Sequence, residues 1–278
     1  MKVSHWICAL GVSTVVACQR AAAPASAATE LVLRTASVLP DDPGDAAWAR
    51  AAVFVVPLIP QDMVEPRQLV ATTSELRVQA LSDGTRAALR LEWSDASADQ
   101  ESRPAHFSDA CALQLPAKVA ADIPAPQMGE PGKPVEISYW RAAWQRAVDG
   151  EPLTLASLYP NAVVDHYPFE AQPAHREIAE AYAPARALGN DMAGPGSAVQ
   201  DLVATGPGTL EPRTAGDSQA RGRRTATGWA VVISRSLPTG LVPGQRTQVA
   251  FAVWQGGAGE VGARKMRTAW VDMLREAH

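Results

Sequence analysis

Apolar and polar residues alternate with a period of two over much of this chain, the pattern of strands with one face buried. Leu76, Val78 and Ala80 alternate with polar neighbours, and Ser82-Asp83-Gly84 turns the chain. Ala87, Leu89, Leu91 and Trp93 alternate on the return, while Arg90 and Glu92 face the other way. Two such runs around a short Asp-Gly turn predict a β-hairpin. The same reading predicts strands over Leu31–Val38, Val53–Ile59, Val135–Trp140, Trp229–Ser234 and Thr247–Trp254. Short strands separated by turn-rich segments point to an antiparallel sandwich. Helices are subordinate. One short piece carries Trp140, Trp144 and Val148 on one face, a second spans His175–Ala187 across Pro184, and a third runs Thr268–Glu276 with Trp270, Met273 and Leu274 inward. The Gly-, Thr- and Arg-rich segment 206–228 reads as surface loops, with Arg221-Gly222-Arg223-Arg224 a solvated stretch or a small docking patch. There is no internal repeat.

The N-terminus departs from this pattern. Lys2 is followed by an apolar run from Trp6 to Ala17 and by Ala25-Ser26-Ala27, the layout of a secretory signal with a small-residue cleavage site. The run falls short of the ~20 residues a bilayer span needs. Residues 1–27 are therefore expected to be a signal peptide and 28–278 one domain, exported to the periplasm. Val15-Val16-Ala17-Cys18 also resembles a lipobox, which would make Cys18 a lipid-anchored first residue. Cleavage after Ala27 removes two basic residues and no acidic one, taking the net charge from −4 to −6. No basic patch dense enough for nucleic acid remains. It also leaves Cys111 alone, so no internal disulfide can form, and the absence of a Cys-x-x-Cys-His motif excludes covalent haem attachment. Only three lysines lie beyond residue 27: Lys118, Lys133 and Lys265.

One turn stands apart. Gln127-Met128-Gly129-Glu130-Pro131-Gly132-Lys133-Pro134 carries two glycines and two prolines and leads into the run Val135, Ile137, Tyr139. From the residues alone Met128 is a core gap-filler or a thioether ligand to a haem iron. Met128-Gly129-Glu130-Pro131-Gly132-Lys133-Pro134-Val135 with Tyr139-Trp140 and Trp144-Gln145 resembles the haem b (gamma) subunits of type II enzymes of the dimethyl-sulfoxide reductase family. These are the gamma subunits of ethylbenzene dehydrogenase, dimethylsulfide dehydrogenase, selenate reductase and chlorate reductase. Other pieces match in order: Trp48 with Val56-Pro57-Leu58, Leu81-Ser82-Asp83-Gly84 with Leu89–Asp95, Tyr159-Pro160-Asn161, Gly206–Leu210, Val249–Trp254 and Gly262-Ala263-Arg264-Lys265.

The resemblance implies a mainly β fold, an antiparallel sandwich similar to a family-nine carbohydrate-binding module, with one non-covalent haem b held between loops. It implies Met128 and Lys265 as axial ligands, and a non-catalytic subunit relaying electrons. The implied partners are a molybdopterin catalytic subunit, an iron–sulfur subunit and a soluble periplasmic carrier such as a cytochrome c. A lysine ligand must be the neutral amine. Holding an exposed lysine neutral near pH 7 costs roughly 5 kcal/mol, which burial and metal coordination offset. Arg264-Lys265-Met266-Arg267 is more crowded and basic than the family pattern. Tyr139, Trp140 and Trp144 are candidate haem walls or plain core, and Arg141, Arg264 and Arg267 are candidate propionate partners. Competing ligands are His106, His166, His175, His278 and Met192. The alternatives are a haem-free sandwich binding a carbohydrate or other small ligand, and a stand-alone periplasmic haem b protein.

Overall fold

A computed structural model describes residues 29–151, 157, 159–161, 196–213 and 216–277. The N-terminal segment, the 175–187 helix, His166, His175, His278 and Met192 lie outside the described residues.

The expected hairpin forms from β4 (Glu75–Ser82) and β5 (Arg86–Ser94), with Ser82 opposite Ala87 and Val78 opposite Leu91. Asp83 closes the turn by accepting from the backbone N–H groups of Thr85 and Arg86. The hairpin is extended by β11 (Gly228–Ser236), paired with β5, and by β10 (Gln219–Arg224), paired with β11. On its other side lie β1 (Leu31–Thr35) and β14 (Val271–Arg275), while β2 (Phe54–Pro57) also pairs with β4. β1 runs parallel to both neighbours; every other ladder among the described residues is antiparallel.

The layers join through β12 (Arg246–Trp254). Its first half pairs with β14 and its second half with β6 (Ala110–Pro116), so one strand serves both sheets. The second sheet continues through β7 (Val135–Arg141), β8 (Val199–Ala204) and β9 (Glu211–Pro212). Beyond β12 it carries β13 (Met266–Arg267) and β3 (Ile59–Pro60). Strict alternation divides the side chains of this sheet between two faces. Cys111, Leu113, Trp140, Phe251 and Val253 face the first sheet and build the main core with Leu76, Leu89, Leu91 and Val231. Ala112, Ile137, Tyr139, Leu202, Ala252 and Trp254 face away from it.

Three expectations need correction. The 268–276 stretch is not a helix but strand β14. Met273 fills the main core at 0% exposure, and pairing with β1 and β12 satisfies backbone groups that a helix of that length would leave largely to its ends. The segment 206–228 is not loop throughout, because β10 lies within it. Gly222 in that strand covers the Trp140 indole so closely that a Cβ there would lie 2.2 Å from a ring carbon. Arg223 pairs with Asp42, and the Arg224 guanidinium stacks 5.3 Å from the Trp229 ring centroid, so the basic stretch is engaged within the fold. The short helix is α1 (Ala142–Val148). Trp144 is its buried anchor, Trp140 belongs to the preceding strand and Val148 is exposed.

Candidate functional site

The outward face of the second sheet floors a cavity of about 470 Å³, within the roughly 300–1,000 Å³ range of ligand pockets. The floor is made of small and apolar side chains: Ala112, Ala250, Ala252, Ile137 and Leu202. Three alanines on adjacent strands β6 and β12 leave open a volume that leucines would fill. Tyr139 and Trp254 wall it, their rings edge-to-face with centroids 5.1 Å apart.

Two rims close over this floor. One is the Met128 turn. Met128 adopts φ +66°, a left-handed conformation that costs a residue with a Cβ about 1–2 kcal/mol. The turn is held there by its surroundings. The Met128 carbonyl accepts from Gly206 N–H at 2.8 Å, Gly129 N–H donates to the Ala125 carbonyl at 2.9 Å, and the Gln114 amide reaches the Pro126 carbonyl at 3.1 Å. Gly129 is required: at φ +78°, a Cβ would stand 2.9 Å from the Lys133 carbonyl oxygen and 3.0 Å from that of Ala204. Met128 lines the cavity. Met63 is exposed, while Met266 and Met273 are fully buried in the main core, so among the described thioethers Met128 alone reaches it.

The other rim carries Lys265. Glu260, 1% exposed, accepts from Gln68, Thr72 and the Gln255 N–H, tying the 255–265 loop to the 61–72 loop. Gln61 completes the clasp: its N–H donates to the Lys265 carbonyl at 2.9 Å and its amide to the Ala263 carbonyl at 3.1 Å. Trp254 Nε1 holds the Gly262 carbonyl at 3.0 Å. The Lys265 side chain is thereby turned over the Trp254 ring, Nζ 5.0 Å from its centroid. No carboxylate among the described residues pairs with it, whereas Lys133 is bound to Asp122 and Glu130 and Lys118 is exposed. Burial, with a smaller push from Arg267, lowers the Lys265 pKa to about 8. A neutral amine is thus accessible near physiological pH, and the site can offer a thioether and an amine to one ligand in a largely apolar slot.

Of the residues singled out from the sequence, Met128, Lys265, Tyr139 and Arg267 converge on the cavity. Trp140 does not. It points to the opposite face, at 0% exposure, packed edge-to-face on Trp93 and Trp229 with its Nε1 on Gln145. Adjacent strand residues point to opposite faces, so only one of Tyr139 and Trp140 can wall the cavity. Arg264 is absent from the lining, and Arg141 stacks on Trp144 and reaches Ser102. Missed from the sequence were the alanine floor, Trp254 as platform, and Gln61 and Glu260 as clasps. Small outward residues at alternate positions of β12 were the only available signal. Among the described residues, no cluster of His, Cys, Asp and Glu could hold a metal ion, and no helix is long and apolar enough to cross a membrane.

Comparison with known proteins adds family to geometry. A protein of Haloferax mediterranei named as a respiratory nitrate reductase heme subunit is 28% identical over 246 residues, covering 83% of this chain and 67% of its own length. The chlorate reductase subunit gamma of Ideonella dechloratans is 28% identical over 263 residues, covering 89% of this chain and 87% of its own. Among solved structures, a family-nine carbohydrate binding module from Caldicellulosiruptor kristjanssonii in complex with cellotriose is similar at a TM-score of 0.46 and 10% identity, over 89% of this chain and 94% of that one. Residues 45–266, which include both rims and the whole alanine floor, match the family described as ethylbenzene dehydrogenase, and the chain belongs to that family.

Proposed function

We propose that this chain is an exported, non-catalytic electron-transfer subunit that holds one haem b in the cavity, where Met128 and Lys265 would be the residues that ligate its iron. The observation that carries the reading is the pairing, across one apolar slot, of the sole described thioether to reach it and a lysine with no carboxylate partner among the described residues. The heme and gamma subunits to which the chain is similar support it. Haem iron, when bound, supplies a one-electron couple; the protein supplies everything that tunes it. Met128 presents a soft thioether from a turn fixed before binding, and Lys265 presents an amine whose proton burial has already loosened. Tyr139, Trp254 and the alanine floor exclude water, which disfavours charge on the iron and so bears on potential. The proposed partners are a molybdopterin catalytic subunit and an iron–sulfur subunit, with electrons exchanged with a soluble periplasmic carrier such as a cytochrome c.

A carbohydrate-binding reading would need aromatic faces open to solvent. Among the described residues the large exposed hydrophobics are aliphatic or Met63, apart from Tyr159, while Trp254 is 7% exposed beneath Lys265. The deciding experiment is an optical spectrum of the protein made in a haem-replete periplasm, oxidised and dithionite-reduced, with pyridine haemochrome analysis. A b-type spectrum altered by both Met128→Ala and Lys265→Ala is expected. Absence of haem even on co-expression with the two partner subunits would refute the assignment.

A further inference from the structure

Lys265 directly precedes β13, whose residues alternate between the two faces of the sheet. Met266 turns into the main core, so Lys265 and Arg267 share the cavity face, two residues or about 6–7 Å apart. The Arg267 guanidinium is under-used. Its Nε is buried with no hydrogen-bond partner, one terminal nitrogen reaches the Thr268 carbonyl at a long 3.5 Å, and the other lies 3.8 Å from Asp62, an exposed carboxylate. The single acidic residue lining the cavity, Glu65, is held by Arg67 at 2.7 Å. The lining is therefore polarised. Two cationic side chains stand at the β13 edge with no carboxylate of the described residues buried against them, and Leu202, Pro207 and Leu210 stand at the β8 edge.

A guanidinium with open donors beside an apolar slot suits a planar acceptor with two oxygens, which it can grip with two parallel hydrogen bonds. We propose that Arg267 anchors a carboxylate of the bound ligand, and that this end of the cavity selects an acidic over an uncharged edge. The proposal rests on the haem reading, under which the carboxylate is a propionate. It separates three arginines that the sequence could not rank: Arg264 lies outside the lining and Arg141 is engaged with Trp144, so the anchor is Arg267.

The test titrates the cofactor-free full chain with iron protoporphyrin IX and, separately, with its dimethyl ester, in which both propionates are uncharged. The wild-type protein is expected to prefer the free acid by about tenfold or more, the worth of a charge-assisted hydrogen bond in a shielded site. Arg267→Gln should bring the two affinities together while leaving the visible spectrum, which reports the axial ligands, unchanged. Arg267→Lys should restore part of the preference. Equal binding of acid and ester by the wild-type protein would overturn the anchor and leave the haem reading standing; this comparison needs no variant to fold. A preference that survives in folded Arg267→Gln would also overturn it. Failure of the wild-type protein to bind either porphyrin would overturn the haem reading and this assignment together.

Discussion

Replacing Lys265 by leucine should stabilise the cofactor-free protein and weaken the haem-loaded one, a reversal of sign rooted in the cavity. The fall in pKa from the unfolded value of ~10.4 to about 8 is a statement about folding. Below pH 8 the lysine is mostly charged in both states, and the fold carries the cost of desolvating that charge, at most ~3 kcal/mol for a side chain that is only partly buried. Between pH 8 and ~10.4 the unfolded chain keeps a proton that the folded chain sheds, so stability rises with pH and the penalty fades. Part of the cost at pH 7 is offset by the contact with Trp254, worth about 0.5–2 kcal/mol, and water entering the open cavity trims it further. A net gain of about 1–2 kcal/mol remains for Lys265→Leu at pH 7. At about 2–4 °C per kcal/mol for domains of 150–250 residues, that is a Tm higher by several degrees. Urea unfolding of the cofactor-free wild-type and variant proteins at pH 7 and pH 10 measures it. The variant should be the more stable at pH 7, and the gap should narrow markedly at pH 10. With haem bound the variant should be the less stable, since the proposed amine ligand is gone. A variant less stable than wild type at pH 7 without cofactor, or a gap indifferent to pH, would refute the view of Lys265 as a desolvated cation awaiting a metal.

Filling the floor should close the cavity: Ala252→Leu, opposite Arg267 of β13, adds bulk to the cavity face and is expected to abolish porphyrin uptake, seen by titration, while the far-ultraviolet circular dichroism stays unchanged. Gly129→Ala should cost about 1–3 kcal/mol in urea unfolding, from the positive φ and the two carbonyl oxygens its Cβ would meet, and should alter the Met128-dependent spectrum of any haem retained. Asp109 provides a second pH signature. Fully buried, and bound by Trp229 Nε1 and the N–H groups of Gly256 and Asp99, it has its pKa raised to about 7 by burial, with Asp95 adding to the effect. Here the folded state holds the proton more tightly than the unfolded one, so this group's contribution should fall as pH rises from about 4 to about 7 and then level off. Asp109→Asn should flatten that slope in urea titrations across the range.

The hairpin around Ser82-Asp83-Gly84, the two-faced strands and the special character of the 127–134 turn were legible from residues alone, because period-two burial and turn chemistry are local properties. Local signals also misled. The Thr268–Glu276 stretch has apolar residues at helical spacing, yet it is short, and pairing with β1 and β12 satisfies its backbone along the whole length. Tyr139 and Trp140 are indistinguishable as adjacent aromatics; which one faces the cavity depends on where the opposing sheet lies. Likewise, Lys118, Lys133 and Lys265 differ in nothing a sequence displays except motif context. Only the fold places carboxylates beside Lys133, leaves Lys118 exposed, and sets Lys265 over Trp254 with none among the described residues. Burial and charge pairing are properties of residues brought together from distant parts of the chain. They decide which lysine can give up its proton and which arginine lines the cavity with an open donor, and so they belong to the tertiary structure.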